Sequence, residues 1–115
     1  MSDDCLFCQI AAGEVPSEAV ASTEEVYAFR DISPKAPTHV LVIPRRHIPH
    51  AHEISEGDGP VLEAMVRCAQ DIAETEGVAE SGYRLVLNVG DDAGNTVPHL
   101  HLHVIGGRQL SWPPG

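Results

Sequence analysis

The chain is poor in aromatic and in basic side chains. Phenylalanine, tyrosine and tryptophan together supply 4% of its residues, and only 7 of 115 are lysine or arginine, against 17 aspartates and glutamates. The resulting net charge of −10 argues against a nucleic-acid polymer as partner, because phosphate backbones are held by basic surface. A mononucleotide stays open, since one phosphate needs only a few local donors. There is no apolar run of membrane-helix length. The acidic opening Met-Ser-Asp-Asp lacks the basic start of a secretory signal. Three cysteines in such a chain do not suggest a disulfide framework. No repeat or low-complexity segment appears. A single cytoplasmic domain over residues 1–115, built on one core, is the expectation.

What is present is strand-rich. A short helix is expected over 4–12, ending at Gly13. Extended segments follow at 18–22 and 25–30, then the turn Asp31-Ile32-Ser33-Pro34. Residues 39–43, His-Val-Leu-Val-Ile, read as a buried strand closed by Pro44. Pro60 opens the one long helix, capped by Asp58 or Gly59 and stopped by Gly77. Leu62, Met65, Val66, Ala69, Ile72 and Ala73 recur on it at helical spacing, a stripe to pack on a sheet. Cys68, beside the stripe, reads as a small core residue. Residues 83–89 and 99–105 are two further strands joined as a hairpin by the polar loop 90–95. One long helix among antiparallel hairpins is an α+β pattern.

The chemistry lies in residues 99–105, His-Leu-His-Leu-His-Val-Ile. On a strand, side chains alternate faces, so His99, His101 and His103 share one face while Leu100, Leu102 and Val104 take the other. Imidazoles in a row beside a core are costly unless each finds a partner, which marks a site. Two chemistries fit. Histidines at i and i+2 can bind one zinc ion with further ligands from elsewhere. Alternatively, a neutral imidazole can attack phosphorus while its neighbours hold the phosphate oxygens. The surroundings favour phosphate. Asn88 ends the neighbouring strand as a donor, and Gly94-Asn95-Thr96 offers backbone N–H groups and a hydroxyl. Asp31, flanked by apolar residues, suits a ribose diol, although a turn cap at Asp-Ile-Ser-Pro explains it as well.

The sequence His99-Leu100-His101-Leu102-His103-Val104-Ile105 resembles the signature of the histidine triad (HIT) family. Residues 29–39, Phe-Arg-Asp-Ile-Ser-Pro-Lys-Ala-Pro-Thr-His, and 42–47, Val-Ile-Pro-Arg-Arg-His, are similar to the nucleotide-pocket segment of its Hint branch. The ending Gly106-Gly107-Arg108-Gln109-Leu110-Ser111-Trp112-Pro113-Pro114-Gly115 is similar to the Hint C-terminus. Asn95 stands where glutamine is more usual, and Pro98 where tyrosine is common. The resemblance implies a five-stranded antiparallel sheet with one long and one short helix on one side of it, paired as a homodimer. It also implies hydrolysis of purine nucleoside 5′-phosphoramidates through a nucleotidyl-histidine. His101 would be the nucleophile and His103 would hydrogen-bond a phosphate oxygen. His99 would complete the triad and His39 would orient it. Asn88 and Thr96 would contact the phosphate or the leaving group, Asn95 would belong to the nucleotide site, Asp31 would meet the ribose, and Phe7, Phe29, Ile32 and Leu41 would enclose the base. Trp112, in a tail over 108–115, would dock near the partner subunit's site and shape the leaving-group side. This double displacement needs no catalytic metal. A nucleotide-binding or interaction module with vestigial hydrolysis, or a zinc hydrolase using the triad directly, are the other readings.

Cys5-Leu6-Phe7-Cys8 gives two thiols at ligand spacing, a weak signal alone. The resemblance implies a structural zinc held by Cys5, Cys8, His47 and His99. His50 and His52 are expected at the surface, either being able to replace His47.

Overall fold

The computed structural model describes residues 4–115; Met1, Ser2 and Asp3, which begin the acidic opening, lie outside the described residues. Five strands, β1 (Ala19–Ser22), β2 (Val26–Arg30), β3 (Thr38–Pro44), β4 (Tyr83–Val86) and β5 (Leu102–Gly106), form one sheet in the order β1-β2-β3-β5-β4. Every neighbouring pair is antiparallel. Two α-helices accompany it, α1 (Leu6–Ala11) and α2 (Gly59–Glu76).

The two faces of the sheet carry different helices, contrary to the expectation that both lie on one side. Val26, Ala28, Val40, Val42, Leu102 and Val104 face Met65, Cys68, Ala69 and Ile72 of α2. Phe29, Leu41 and Ile43 face the other way, against Cys5, Phe7 and Ile10 around α1. The alternation within β2 and β3 produces both layers, because each strand is apolar on both faces. The stripe on α2 is as expected except at Val66, which is 41% exposed; Cys68 takes its place at the sheet.

Polar pins fix the helices. Arg30 of β2 donates to both carboxylate oxygens of Glu76, at 2.9 and 2.8 Å, and Thr38 donates to the same group at 3.2 Å. This joins the end of α2 to two strands through a bidentate pair. Arg45 donates to the Ala11 carbonyl at 2.7 Å, the Thr23 carbonyl at 2.7 Å and the Ser22 hydroxyl at 2.6 Å. It thereby ties the end of α1 to the β1–β2 hairpin. Asp58 occupies the N-cap position of α2 without a side-chain cap bond; its carboxylate instead closes a capping box with Ser55 over the single turn 56–58 and pairs with Arg46.

Two expected strands are shorter than the pattern suggests. β4 stops at Val86 rather than Val89, and β5 starts at Leu102 rather than His99. The backbone before Leu102 is committed elsewhere: His99 N–H donates to the Val97 carbonyl and Leu100 N–H to the Ile48 carbonyl. Without that stretch as a ladder partner, residues 87–89 pair with no strand among the described residues. The side-chain alternation nevertheless survives, since Leu100 joins Leu102 and Val104 in the α2 core. At the other end of β5, Gly107 has φ +93°, and an added Cβ there would lie 3.0 Å from Pro37. Glycine lets the chain turn away against the 34–37 loop.

Packing of α2 and its left-handed stop should be separable by mutation. Met65, 1% exposed, should cost about 2–5 kcal/mol when cut to alanine. Gly77 has φ +77°, and a Cβ added there would project into open space, so Gly77→Ala should cost only the backbone strain, roughly 1–2 kcal/mol. Urea unfolding should place Met65→Ala below Gly77→Ala and both below wild type; a wild-type midpoint for Met65→Ala would remove α2 from the core.

Candidate active site

The antiparallel register places the chemistry. Leu41 of β3 stands opposite His103 of β5, which in turn stands opposite Val86 of β4. His39 lies two residues before Leu41 on the same face. Three imidazoles and an apolar floor thus meet on the α1 side of the sheet. The ring of Phe7 from α1 packs edge-on against Phe29 at 5.4 Å and against His101 at 5.1 Å.

Hydrogen-bond partners assign the tautomer of each ring. The backbone N–H of Lys35 donates to His39 Nδ1 at 3.0 Å. The proton of neutral His39 is therefore on Nε2, which donates to His103 Nδ1 at 2.9 Å. His103 must then carry its own proton on Nε2. His101 has the opposite tautomer: its Nδ1 donates to the His99 carbonyl at 2.7 Å, which leaves Nε2 with a free lone pair. His99 donates from Nε2 to the Pro44 carbonyl at 2.9 Å, so its Nδ1 is also a lone pair. One ring thus presents a lone pair and the next an N–H.

Burial keeps the donor neutral. The His103 pKa is lowered to about 4, first by desolvation and then by His101 and His39, with Asp31 opposing. His39 and His99 are lowered too, both chiefly by burial. Asp31 serves two purposes. Its Oδ1 accepts the Ser33 N–H at 2.8 Å, making the turn cap, and its Oδ2 lies 3.4 Å from His39 Nε2.

A cleft of about 350 Å³ opens on these groups, lined by Phe7, Phe29, Ile32, Leu41, Asp31, Asn88, Thr96, His101 and His103. Ile32 forms its rim, being 97% exposed. Leu6, Ile10 and Val97 also line it; no sequence motif singles them out, although α1 periodicity puts Ile10 on the face of Phe7. A second cavity of about 550 Å³ adjoins it and shares Asp31, Asn88, Gly94, Thr96 and His103. His39 lines that second cavity. Asn95 and Trp112 line neither. The Asn95 Oδ1 is buried with no hydrogen-bond partner among the described residues, and Trp112 is 82% exposed.

Four donors gather behind His101. Cys5 Sγ lies 3.2 Å from His99 Nδ1, Cys8 Sγ lies 3.4 Å from the same atom and 3.3 Å from His47 Nδ1, and the two Nδ1 atoms are 3.2 Å apart. In a tetrahedral site with metal–sulfur bonds of about 2.3 Å and metal–nitrogen bonds of about 2.0–2.1 Å, neighbouring ligand atoms sit roughly 3.3–3.8 Å apart. Cys5, Cys8, His47 and His99 could therefore hold a metal ion, and the Pro44 bond orients His99 for it. His52 is exposed as expected, whereas His50 is only half-exposed, with a buried Nδ1 that has no hydrogen-bond partner among the described residues. Neither belongs to this group.

Comparison with known proteins agrees with this arrangement. The family model described as HIT domain matches residues 12–110. The purine nucleoside phosphoramidase of Escherichia coli K12 is 44% identical over 110 residues, covering 96% of this chain and 92% of that protein. The crystal structure of a HIT family hydrolase from Legionella pneumophila has a TM-score of 0.95 at 48% identity, covering 96% of this chain and 99% of that one. A HIT family hydrolase from Clostridium thermocellum has a TM-score of 0.93 at 43% identity, with 96% of each chain covered.

The neutral rings make stability depend on pH. In the folded chain His103 takes up a proton only near pH 4, against 6.5 for an unperturbed imidazole. Between those values the unfolded chain binds the extra proton, so this contribution is complete above pH 6.5 and is lost as pH falls towards 4. His39 adds in the same direction. Urea midpoints should drop from pH 7 to pH 4.5, and the drop should be shallower in His103→Gln; equal slopes would mean that His103 titrates normally.

Proposed function

Because this chain belongs to the HIT domain family, we infer that it hydrolyses purine nucleoside 5′-phosphoramidates, releasing the nucleoside monophosphate and an amine. The observation that carries this reading is the fixed pair of tautomers: the Nδ1 bond to the His99 carbonyl leaves His101 Nε2 as a lone pair at the cleft. The apolar part of the cleft, Phe7, Phe29, Leu41 and the rim at Ile32, suits a purine. Asp31 suits the ribose hydroxyls. The phosphate falls where Asn88, Thr96 and His103 converge.

His101 Nε2 attacks the α-phosphorus, the phosphorus–nitrogen bond breaks, and the nitrogen takes a proton from solvent water as it leaves as the amine, a proton returned to solvent when water attacks in the second step. Water then attacks the nucleotidyl-histidine, restoring His101 and releasing the monophosphate. His103 donates its Nε2 proton as a hydrogen bond to a phosphate oxygen as charge builds there. The His39–Lys35 bonds hold it in that tautomer. The 94–98 loop closes the phosphate side through Gly94 and Thr96. A homodimer is part of this reading. The exposed Leu85 on the edge strand β4, Leu87 and Val89 just beyond it, and Val66 on α2 support it by offering apolar surface. The tail over 108–115 and Trp112 belong to the leaving-group side and the partner subunit. A cytoplasmic location also belongs to this reading. No helix of the described residues is long and apolar enough to cross a membrane.

The metal held by Cys5, Cys8, His47 and His99 is assigned as structural zinc, on the grounds that two thiolates and two imidazoles favour that ion. When bound it cross-links α1, the β3 exit and the triad. The carbonyl of His99 holds His101, so the metal ligands act on the nucleophile by positioning it.

Two measurements test these assignments. Adenosine 5′-phosphoramidate should yield AMP, and His101→Ala should lower kcat on the order of 10³-fold or more while nucleotide still binds. AMP binding without turnover by the wild type would leave only a binding module. Elemental analysis should find about one zinc per chain, lost in Cys5→Ser together with several degrees of melting temperature. Metal-free protein with the same melting point would remove the zinc assignment.

A further inference from the structure

The second cavity differs in charge from the rest of the chain. It is lined by Lys35, Arg84 and Arg108, three of the seven basic residues in a protein with 17 acidic ones. Lys35 is the chain's only lysine. Of the four basic side chains elsewhere, Arg30, Arg46 and Arg67 are ion-paired, while Arg45 is spent on the Ala11 and Thr23 carbonyls and the Ser22 hydroxyl. The three in the cavity have no ion pair among the described residues. Arg84 donates to the Ser111 carbonyl at 2.9 Å, and Arg108 to the Lys35 and Gln109 carbonyls at 2.8 and 2.9 Å. Neutral carbonyls fix these guanidinium groups in place without cancelling their charge. The Lys35 ammonium has no hydrogen bond among the described residues. The one acidic group lining the cavity is Asp31, which is already engaged by Ser33 N–H and faces His39.

The position of this cavity gives the charge a use. Asp31, Asn88, Thr96 and His103 form the seam between it and the apolar cleft, while His101 lines the apolar cleft only. A nucleotide with its base on Phe7 and Phe29 and its phosphorus at the seam sends its remaining substituent into the basic cavity. We propose that this cavity is a leaving-group subsite in which Lys35, Arg84 and Arg108 select amines that carry a carboxylate, so that the preferred substrates are amino acids joined to the nucleotide through nitrogen. This rests on the phosphoramidase reading and adds the class of amine to it. Three cations around the cavity, two of them fixed by carbonyls, attract an anion over several ångströms, and salt weakens that attraction.

A matched pair of substrates tests it: AMP linked through nitrogen to β-alanine, and AMP linked to β-alaninamide, which differ only in the carboxylate. In low salt, kcat/KM should be about tenfold higher for the carboxylate, through KM, and the ratio should shrink in 0.5 M NaCl, about five times the ionic strength at which the screening length is ~10 Å. The ratio should fall towards one in Lys35→Gln combined with Arg84→Gln. If the double variant fails to fold, Lys35→Gln alone, which removes no side-chain hydrogen bond, should lower it in part. Equal or reversed turnover of the two substrates by wild type would overturn the subsite while leaving the phosphoramidase. If neither is hydrolysed, the phosphoramidase reading falls, and dissociation constants decide the subsite: tighter binding of the carboxylate upholds it, and equal binding overturns it.

Discussion

His99 has no solvent exposure, and a buried imidazole without partners would be unfavourable by several hydrogen bonds. Every polar atom of this residue is used. Its N–H reaches the Val97 carbonyl, its Nε2 the Pro44 carbonyl, its Nδ1 the thiols of Cys5 and Cys8, and its carbonyl accepts from His101. These bonds account for much of the site. The Pro44 bond fixes the residue to the end of β3, and the thiol contacts fix α1 against the opposite face from α2. The carbonyl bond fixes the ring that faces the cleft. The same commitments stop β5 from beginning at His99. A regular strand through residue 99 would satisfy the backbone by ladder pairing but would not leave that carbonyl for His101.

The second constraint is neutrality. His101 and His103 stand with ring centres 5.1 Å apart, and His39 and His103 5.2 Å apart. Protonating all three in one half-buried pocket would set like charges beside each other, which is why desolvation and mutual repulsion act together on His103. Asp31 opposes this shift without reversing it. Neutral rings have definite tautomers, and definite tautomers fix which nitrogen offers a lone pair and which an N–H. The physical origin of the site's chemistry is therefore the alternation of burial and hydrogen bonding along 99–103, rather than any single perturbed residue.

Parts of this were legible in the sequence. The alternation of His with Leu gave the two faces correctly, because period-2 patterning survives even where ladder hydrogen bonds do not. Pro60 and Gly77 bounded α2 closely, since a proline start and a left-handed glycine stop are local signals. The Cys-x-x-Cys spacing indicated a ligand pair, but the convergence of His47 came through resemblance. Nothing local tells which of His47, His50 and His52 turns inward. The side of the sheet taken by α1 was not legible: strands apolar on both faces accept a helix on either, and the choice is made by Arg45 and the Cys5–His99 contact, both long-range. Val66 was misplaced because a helical stripe drawn from hydrophobicity alone passes over Cys68, a small residue that packs as well.

The basic cavity escapes a reading based on motifs because its three cations come from separate segments. Lys35 sits in the loop before β3, Arg84 on β4 and Arg108 just past Gly107. Arg84, Val86 and Asn88 do share a period-2 face, and that face points to the histidines, so one of the three was within reach of pattern. The other two depend on Gly107. Its φ of +93° and its close approach to Pro37 turn the chain so that Arg108 meets the Lys35 carbonyl, while the Lys35 N–H meets His39. One short loop thus joins the tail's cation to the histidine relay. The charge of the cavity and the tautomer of His103 are in this way set by opposite ends of the same residue.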